Sequence, residues 1–78
     1  MVNTNLLKGK IIEKGFTFKS LASAMNLSEL TLRRKINNVT SFYIEESILL
    51  KNTLNISTDE YIAIFFKEKL EFNSDISF

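Results

Sequence analysis

Apolar residues recur in this chain at helical rather than strand spacing. Short segments, most of them opened by a residue that can cap a helix, follow one another from Thr4 to Phe66. A side chain returns to one face of a helix every three or four residues, and to one face of a strand every two. No segment combines sustained two-residue alternation with turn dipeptides, so no sheet is expected. At 78 residues there is room for one domain, near the size at which a single core still holds without staples. The expected fold class is all-α.

Five helices can be placed. The first spans about Thr4–Lys14, with Leu6, Leu7, Ile11 and Ile12 as its apolar positions and Gly15 where it ends. Gly9 inside it costs up to about 1 kcal/mol relative to Ala, and close approach of another helix is the expected reason for it. Thr17 caps the second helix, Phe16 and Leu21 form a hydrophobic staple across that cap, and Phe18, Leu21, Ala22 and Met25 share a stripe. It stops near Asn26, a residue type that tolerates the left-handed conformation of a tight turn. Ser28 caps the third helix, about Glu29–Asn37, with Leu27 and Leu32 as a second staple and Val39-Thr40-Ser41 as the loop after it. The fourth, about Tyr43–Leu54, is expected to turn Ile44, Ile48 and Leu49 inward, with Glu45 and Glu46 in the first turn, where the helix dipole favours acids. Ser57 and Glu60 have capping-box spacing and open a fifth helix holding Tyr61, Ile62, Phe65 and Phe66. The aromatics Phe16, Phe18, Phe42, Tyr43, Phe65 and Phe66 are expected mostly in the core, not as a platform for stacking bases.

Composition removes most chemistry. There is no cysteine and no histidine, so thiolate chemistry, disulfides and the commonest general base and metal ligand are absent together. Two glycines leave no phosphate-cradling loop. The adjacent acids Glu45-Glu46 and Asp59-Glu60 fall at helix starts, and neighbours one apart on a helix do not face each other, so neither pair makes an acid–base dyad. An enzyme is not expected, nor a cofactor, a metal or a small-molecule substrate. The longest apolar run, Ile62 to Phe66, is far short of a membrane span, and Met1 to Asn5 lack the pattern of a signal peptide. A cytoplasmic domain that works by binding is the expectation. The formal charge of +1 hides a division. Residues 1–40 hold Lys8, Lys10, Lys14, Lys19, Arg33, Arg34 and Lys35 against Glu13 and Glu29. Residues 41–78 hold Lys51, Lys67 and Lys69 against Glu45, Glu46, Asp59, Glu60, Glu68, Glu71 and Asp75. A basic front half suits a protein that meets a polyanion with one face.

Two short helices joined by a few residues are the signature of a helix-turn-helix, and about residues 17–37 fit it. Leu21 and Ala22 fall where the first helix must be apolar and then small, Leu27 is expected as the buried turn residue, and Leu32 and Ile36 anchor the second helix on one face. The stretches from Leu7 to Lys14, Asn26 to Leu32 and Lys35 to Asn38 resemble the small Cro/CI-type (XRE-like) helix-turn-helix regulators of phages and prophages in Gram-positive bacteria. The resemblance covers roughly residues 5–66. It implies a five-helix, lambda-repressor-like DNA-binding domain over residues 1–69, acting as a Cro-like repressor on double-stranded operator DNA as a homodimer. Phe18 stands where the family often has a phosphate-clamping Gln, and Asn26 where it usually has Gly. The tail, residues 70–78, carries Leu70, Phe72, Ile76 and Phe78 and is expected to pack on the core or form the dimer contact.

The outer face of the helix at 29–37 follows from its period. With Leu32 and Ile36 inward, Arg34 points outward with Leu30 beside it, Thr31 and Asn37 flank them, and Arg33 and Lys35 lie at the edges. Arg34 can give guanine two parallel hydrogen bonds, and Leu30 can meet a thymine methyl. Ser28, Glu29, Leu30 and Thr31 occupy the turn that enters the major groove in such proteins. Glu29 is read first as complementing the helix dipole and second as accepting from a cytosine amine. Lys19, Asn37, Asn38 and Thr40 are candidates for phosphate contacts. The expected DNA-contacting set is therefore Lys19, Ser28, Glu29, Leu30, Thr31, Arg33, Arg34, Asn37, Asn38 and Thr40. The alternative is a protein-binding module on the same fold, an antirepressor that captures a phage repressor. Outward Leu30 and the near-neutral net charge favour it.

Overall fold

The computed structural model describes residues 1–66, which form five helices and no strand. They are α1 (Thr4–Glu13), α2 (Phe18–Ala24), α3 (Glu29–Ile36), α4 (Ile44–Leu54) and α5 (Thr58–Phe65). The expectations for residues 67–78, including a packing or dimerising tail, lie outside the described residues. Among the described residues no helix is long and apolar enough to cross a membrane.

Four of the five helices start where a short polar side chain meets an unpaired amide. Asn3 accepts from Leu6 N–H at 3.1 Å, Thr17 from Ser20 at 3.0 Å, Ser28 from Thr31 at 3.1 Å and Ser57 from Glu60 at 3.1 Å. Tyr43 offers α4 no side-chain cap, and there the Glu46 carboxylate reaches back to Tyr43 N–H at 2.8 Å. The stops are equally uniform. Gly15, Asn26, Asn38 and Asn55 follow the first four helices, each with positive φ, between 52° and 81°. That region is disfavoured for most L-residues, and asparagine enters it more cheaply than others.

The core is one cluster: Leu7 and Ile11 of α1, Leu21 and Ala22 of α2 with Met25, Leu32 and Ile36 of α3, Leu50 and Leu54 of α4 with Ile56, and Ile64 of α5. Phe16, Phe18, Leu27, Phe42, Tyr61 and Phe65 pack against it half-buried. Phe42 meets Phe65 edge-on, with centroids 5.4 Å apart. The helix α2 packs chiefly on α3, and α1 lies against α3 and α5. The first residues close the assembly. Asn3 N–H donates to Ile64 O at 2.8 Å, and Thr4 Oγ1 donates to Ile36 O at 2.7 Å.

Four expectations need correction. The inward face of α4 is not Ile44, Ile48 and Leu49, which are 61%, 46% and 41% exposed. Ser47, Leu50 and Leu54 face inward instead. Ser47 can stand there because its hydroxyl hydrogen-bonds to Ile44 O at 2.8 Å and to Tyr61 Oη at 2.7 Å, and among the described residues no buried side-chain polar atom is left unpaired. Tyr43 is not core but 69% exposed, and Ile12 is 74% exposed. Gly9 makes no close approach: a Cβ placed there would have no neighbour within 4 Å.

The Lys10 ammonium joins α1 to α5 by pairing with Glu60, and it also reaches Glu13 at 3.3 Å. The hydrogen bond from Lys10, helped by Ser57 N–H, holds the Glu60 carboxyl well below its usual range, at about 2. The Lys10 ammonium is shifted upward in return, chiefly by Glu60. A carboxylate with a depressed folded-state pKa stabilises the fold above its unfolded pKa and loses that contribution as pH falls toward the folded value. Wild-type stability should therefore decline between about pH 4.5 and 2 more steeply than that of Glu60→Gln, as followed by urea unfolding at each pH. Gly9→Ala should raise stability by about 0.5–1 kcal/mol in the same assay, because the methyl enters open space on a helix interior.

Candidate nucleic-acid interface

Three consecutive cations, Arg33, Arg34 and Lys35, close α3, and their surroundings give them different work. Arg33 donates through Nε and Nη2 to Glu29 Oε2 at 3.0 and 2.8 Å, one helical turn back. Its guanidinium carbon also lies 4.8 Å from the centroid of the Phe18 ring. Arg33 thereby ties α3 to the start of α2, and Phe18, which cannot clamp a phosphate as Gln would, serves as its platform.

Lys35 turns the other way and is 7% exposed. Its Nζ donates to Ser41 O at 2.9 Å and pairs with Glu46 Oε1 at 2.9 Å, and it lies 4.7 Å from the centroid of the Tyr43 ring. One ammonium thus fastens the end of α3, the loop after it and the first turn of α4. Sequence periodicity puts Lys35 at an edge of the α3 face; the structure puts it inside.

Arg34 remains. It is exposed, and among the described residues its guanidinium makes no hydrogen bond or ion pair. It shares the outer face of α3 with Leu30, which is 57% exposed. Thr31, Arg34 and Thr40 line one surface hollow of about 400 Å³, together with Ser41 and Tyr43. On the other flank, Lys19, Ser28 and Glu29 line a second hollow, of about 580 Å³, where the α2–α3 turn passes. The structure therefore gathers six of the ten sequence-expected residues into two surface hollows. Asn37 is exposed at the C-cap of α3.

Asn38 is drawn away from that face. Its Oδ1 accepts from Val2 N–H at 2.9 Å, and its Nδ2 donates to Val2 O at 3.1 Å and Thr4 Oγ1 at 3.2 Å. The side chain clasps the beginning of the chain. Glu29 is held by Arg33 and sits in the first turn of α3, in keeping with the dipole reading. Aromatic character alone puts Tyr43 in the core, yet it borders the Arg34 hollow. Only the partner Lys35, eight residues earlier, accounts for its position, and no local pattern signals that.

A helix carrying an exposed arginine with no partner among the described residues and an exposed leucine, with hydroxyls and a lysine at its flanks, can offer both a bidentate donor and an apolar contact to a ridged surface. Residues 3–68 match the family described as "Protein of unknown function (DUF739)", and the chain belongs to that family. No curated protein and no solved structure matches it.

The two neighbours make opposite predictions for stability. Removing one partner of a largely buried ion pair costs about 3–5 kcal/mol, so Lys35→Ala should lower unfolding free energy by about 3 kcal/mol. Arg34→Ala, on an open surface, should change it by less than about 0.5 kcal/mol. Thermal and urea denaturation of both variants would read this out.

Proposed function

We propose that this protein is a sequence-specific DNA-binding regulator, a Cro-like repressor that reads operator DNA in the major groove with α3. The observation that carries the reading is the contrast within the basic triplet. Arg33 is held on the surface by Glu29 and Lys35 is buried against Ser41 and Glu46, while Arg34 stands exposed beside Leu30 on the outer face of a short helix that follows a tight turn, with no partner among the described residues. Two short helices in this relation, α2 and α3, make a helix-turn-helix unit. In it Arg34 contacts a guanine, Leu30 a thymine methyl, and Thr31 and Ser28 the adjoining base edges. Lys19, Asn37 and Thr40 contact phosphates and fix register. Two copies bind half-sites about one helical turn apart, and occupation of the operator excludes polymerase.

A second reading is a protein-binding module that captures a partner repressor through the same face. The specific observation behind it is the combination of Leu30 and Tyr43, 57% and 69% exposed, around an otherwise sparse set of cations. An apolar contact of this kind in water marks a site of association.

Fragmented DNA of the source genome, incubated with the protein at low salt and sequenced after retention, separates the two readings. Enrichment of a few symmetric sites is the expected result. On such a site Arg34→Ala should weaken binding by about 1–3 kcal/mol, and affinity should fall steeply as salt rises. Diffuse retention that vanishes with modest salt, or operator affinity unchanged in Arg34→Ala, would overturn the DNA reading. In the protein-binding reading Leu30→Asp is the more damaging of the two substitutions.

A further inference from the structure

The start of α3 sets two demands against each other. The helix dipole favours a carboxylate in the first turn, and Glu29 is the acid there. A surface that receives a polyanion disfavours the same carboxylate, because like charges brought together across an interface weaken it. Glu29 lines one surface hollow with Lys19 and Ser28, two residues that the DNA reading sets against the duplex. Its charge therefore lies where phosphates would approach.

Arg33 answers that charge. Its Nε and Nη2 both donate to Glu29 Oε2, at 3.0 and 2.8 Å, so two donors of one rigid fork grip a single oxygen. The guanidinium also stands over the Phe18 ring, 4.8 Å from its centroid. Phe18 is half-buried and packs against the core, which makes the ring a fixed platform. Carboxylate and ring together draw the guanidinium back toward the first turn of α3. The pair stays open to water, its side chains 51% and 39% exposed, and exposed ion pairs add little to stability. What the pairing does accomplish is to leave no net charge at these two positions of α3.

We propose, resting on the DNA reading of α3, that Arg33 is a positioning residue: seated on Phe18, it holds and neutralises Glu29, so that an acid can start the helix without repelling the duplex. Arg33 then differs in kind from Arg34. One reads the duplex, and the other makes the fold's own carboxylate compatible with it.

The test is a double-mutant cycle on a duplex recovered from the genomic selection, with every affinity measured at the same low salt concentration. Arg33→Ala should bind about tenfold more weakly than wild type, because the carboxylate is left uncompensated beside the phosphates. Combining Arg33→Ala with Glu29→Gln should restore affinity to within about twofold of wild type, since the charge to be neutralised has gone. General damage from the loss of Arg33 would not be repaired in this way. Glu29→Gln alone should bind at least as well as wild type. Circular dichroism should find all of these variants folded, and Arg33→Gln takes the place of Arg33→Ala should the latter not fold. A double variant as weak as Arg33→Ala would overturn the proposal and make Arg33 a phosphate contact in its own right. Wild-type affinity in Arg33→Ala would overturn it too, as would weaker binding by Glu29→Gln, which would assign the carboxylate to a base edge. Recovery of no specific duplex by the wild-type protein is a different failure: it defeats the DNA reading itself, and the role of Arg33 falls with it.

Discussion

The Lys35 ammonium is where three elements that no short-range rule connects are made to agree. It receives the Ser41 carbonyl from the loop and the Glu46 carboxylate from the first turn of α4, under the Tyr43 ring. Glu46 in turn closes the start of α4 by accepting from Tyr43 N–H, so one carboxylate oxygen both caps a helix and neutralises a buried cation. A charge so far from water needs several partners at once, and the loop and α4 supply them together. The loop after α3 is therefore held at both ends, and the face that carries Arg34 keeps a defined relation to the rest of the core.

Most of the fold was legible because its punctuation is local. A serine or threonine three residues ahead of a partner, and an asparagine or glycine just after a helix end, state their case within a few residues. Thr17, Ser28, Ser57, Gly15 and Asn26 all behave as their positions suggest. The face of α4 was not legible for the opposite reason. Hydrophobicity favours the row through Ile44, Ile48 and Leu49, whereas Ser47 faces inward with Leu50 and Leu54, its hydroxyl satisfied by Ile44 O and by Tyr61, fourteen residues away. Gly9 misled similarly, because a glycine on a helix suggests crowding and none is there.

At the candidate interface the sequence told the inward anchors Leu32 and Ile36 from the outward Leu30 and Arg34, since one helical period decides all four. It did not tell three adjacent cations apart. Arg33 answers to Phe18 and Glu29, Lys35 to Ser41 and Glu46, and Arg34 to neither set. Asn38 shows the same limit, since its amide is engaged by Val2 and Thr4, more than thirty residues away. Side chains of one chemical type take different duties when tertiary partners differ, and those partners are invisible to spacing.

The hydrogen bond from Asn3 to the Ile64 carbonyl has a consequence for the order in which the molecule can be finished. Residues near the start of the chain are made first, yet their docking partner on α5 is among the last of the described residues to leave the ribosome. The Asn38 clasp on Val2 needs only the first 38 residues, whereas the contact with Ile64 needs nearly all of the described ones. Helices α1 to α3 can thus collect around Leu7, Leu21 and Leu32 early, as a locally wired nucleus, while final closure is a single late event that joins the two ends of the described chain.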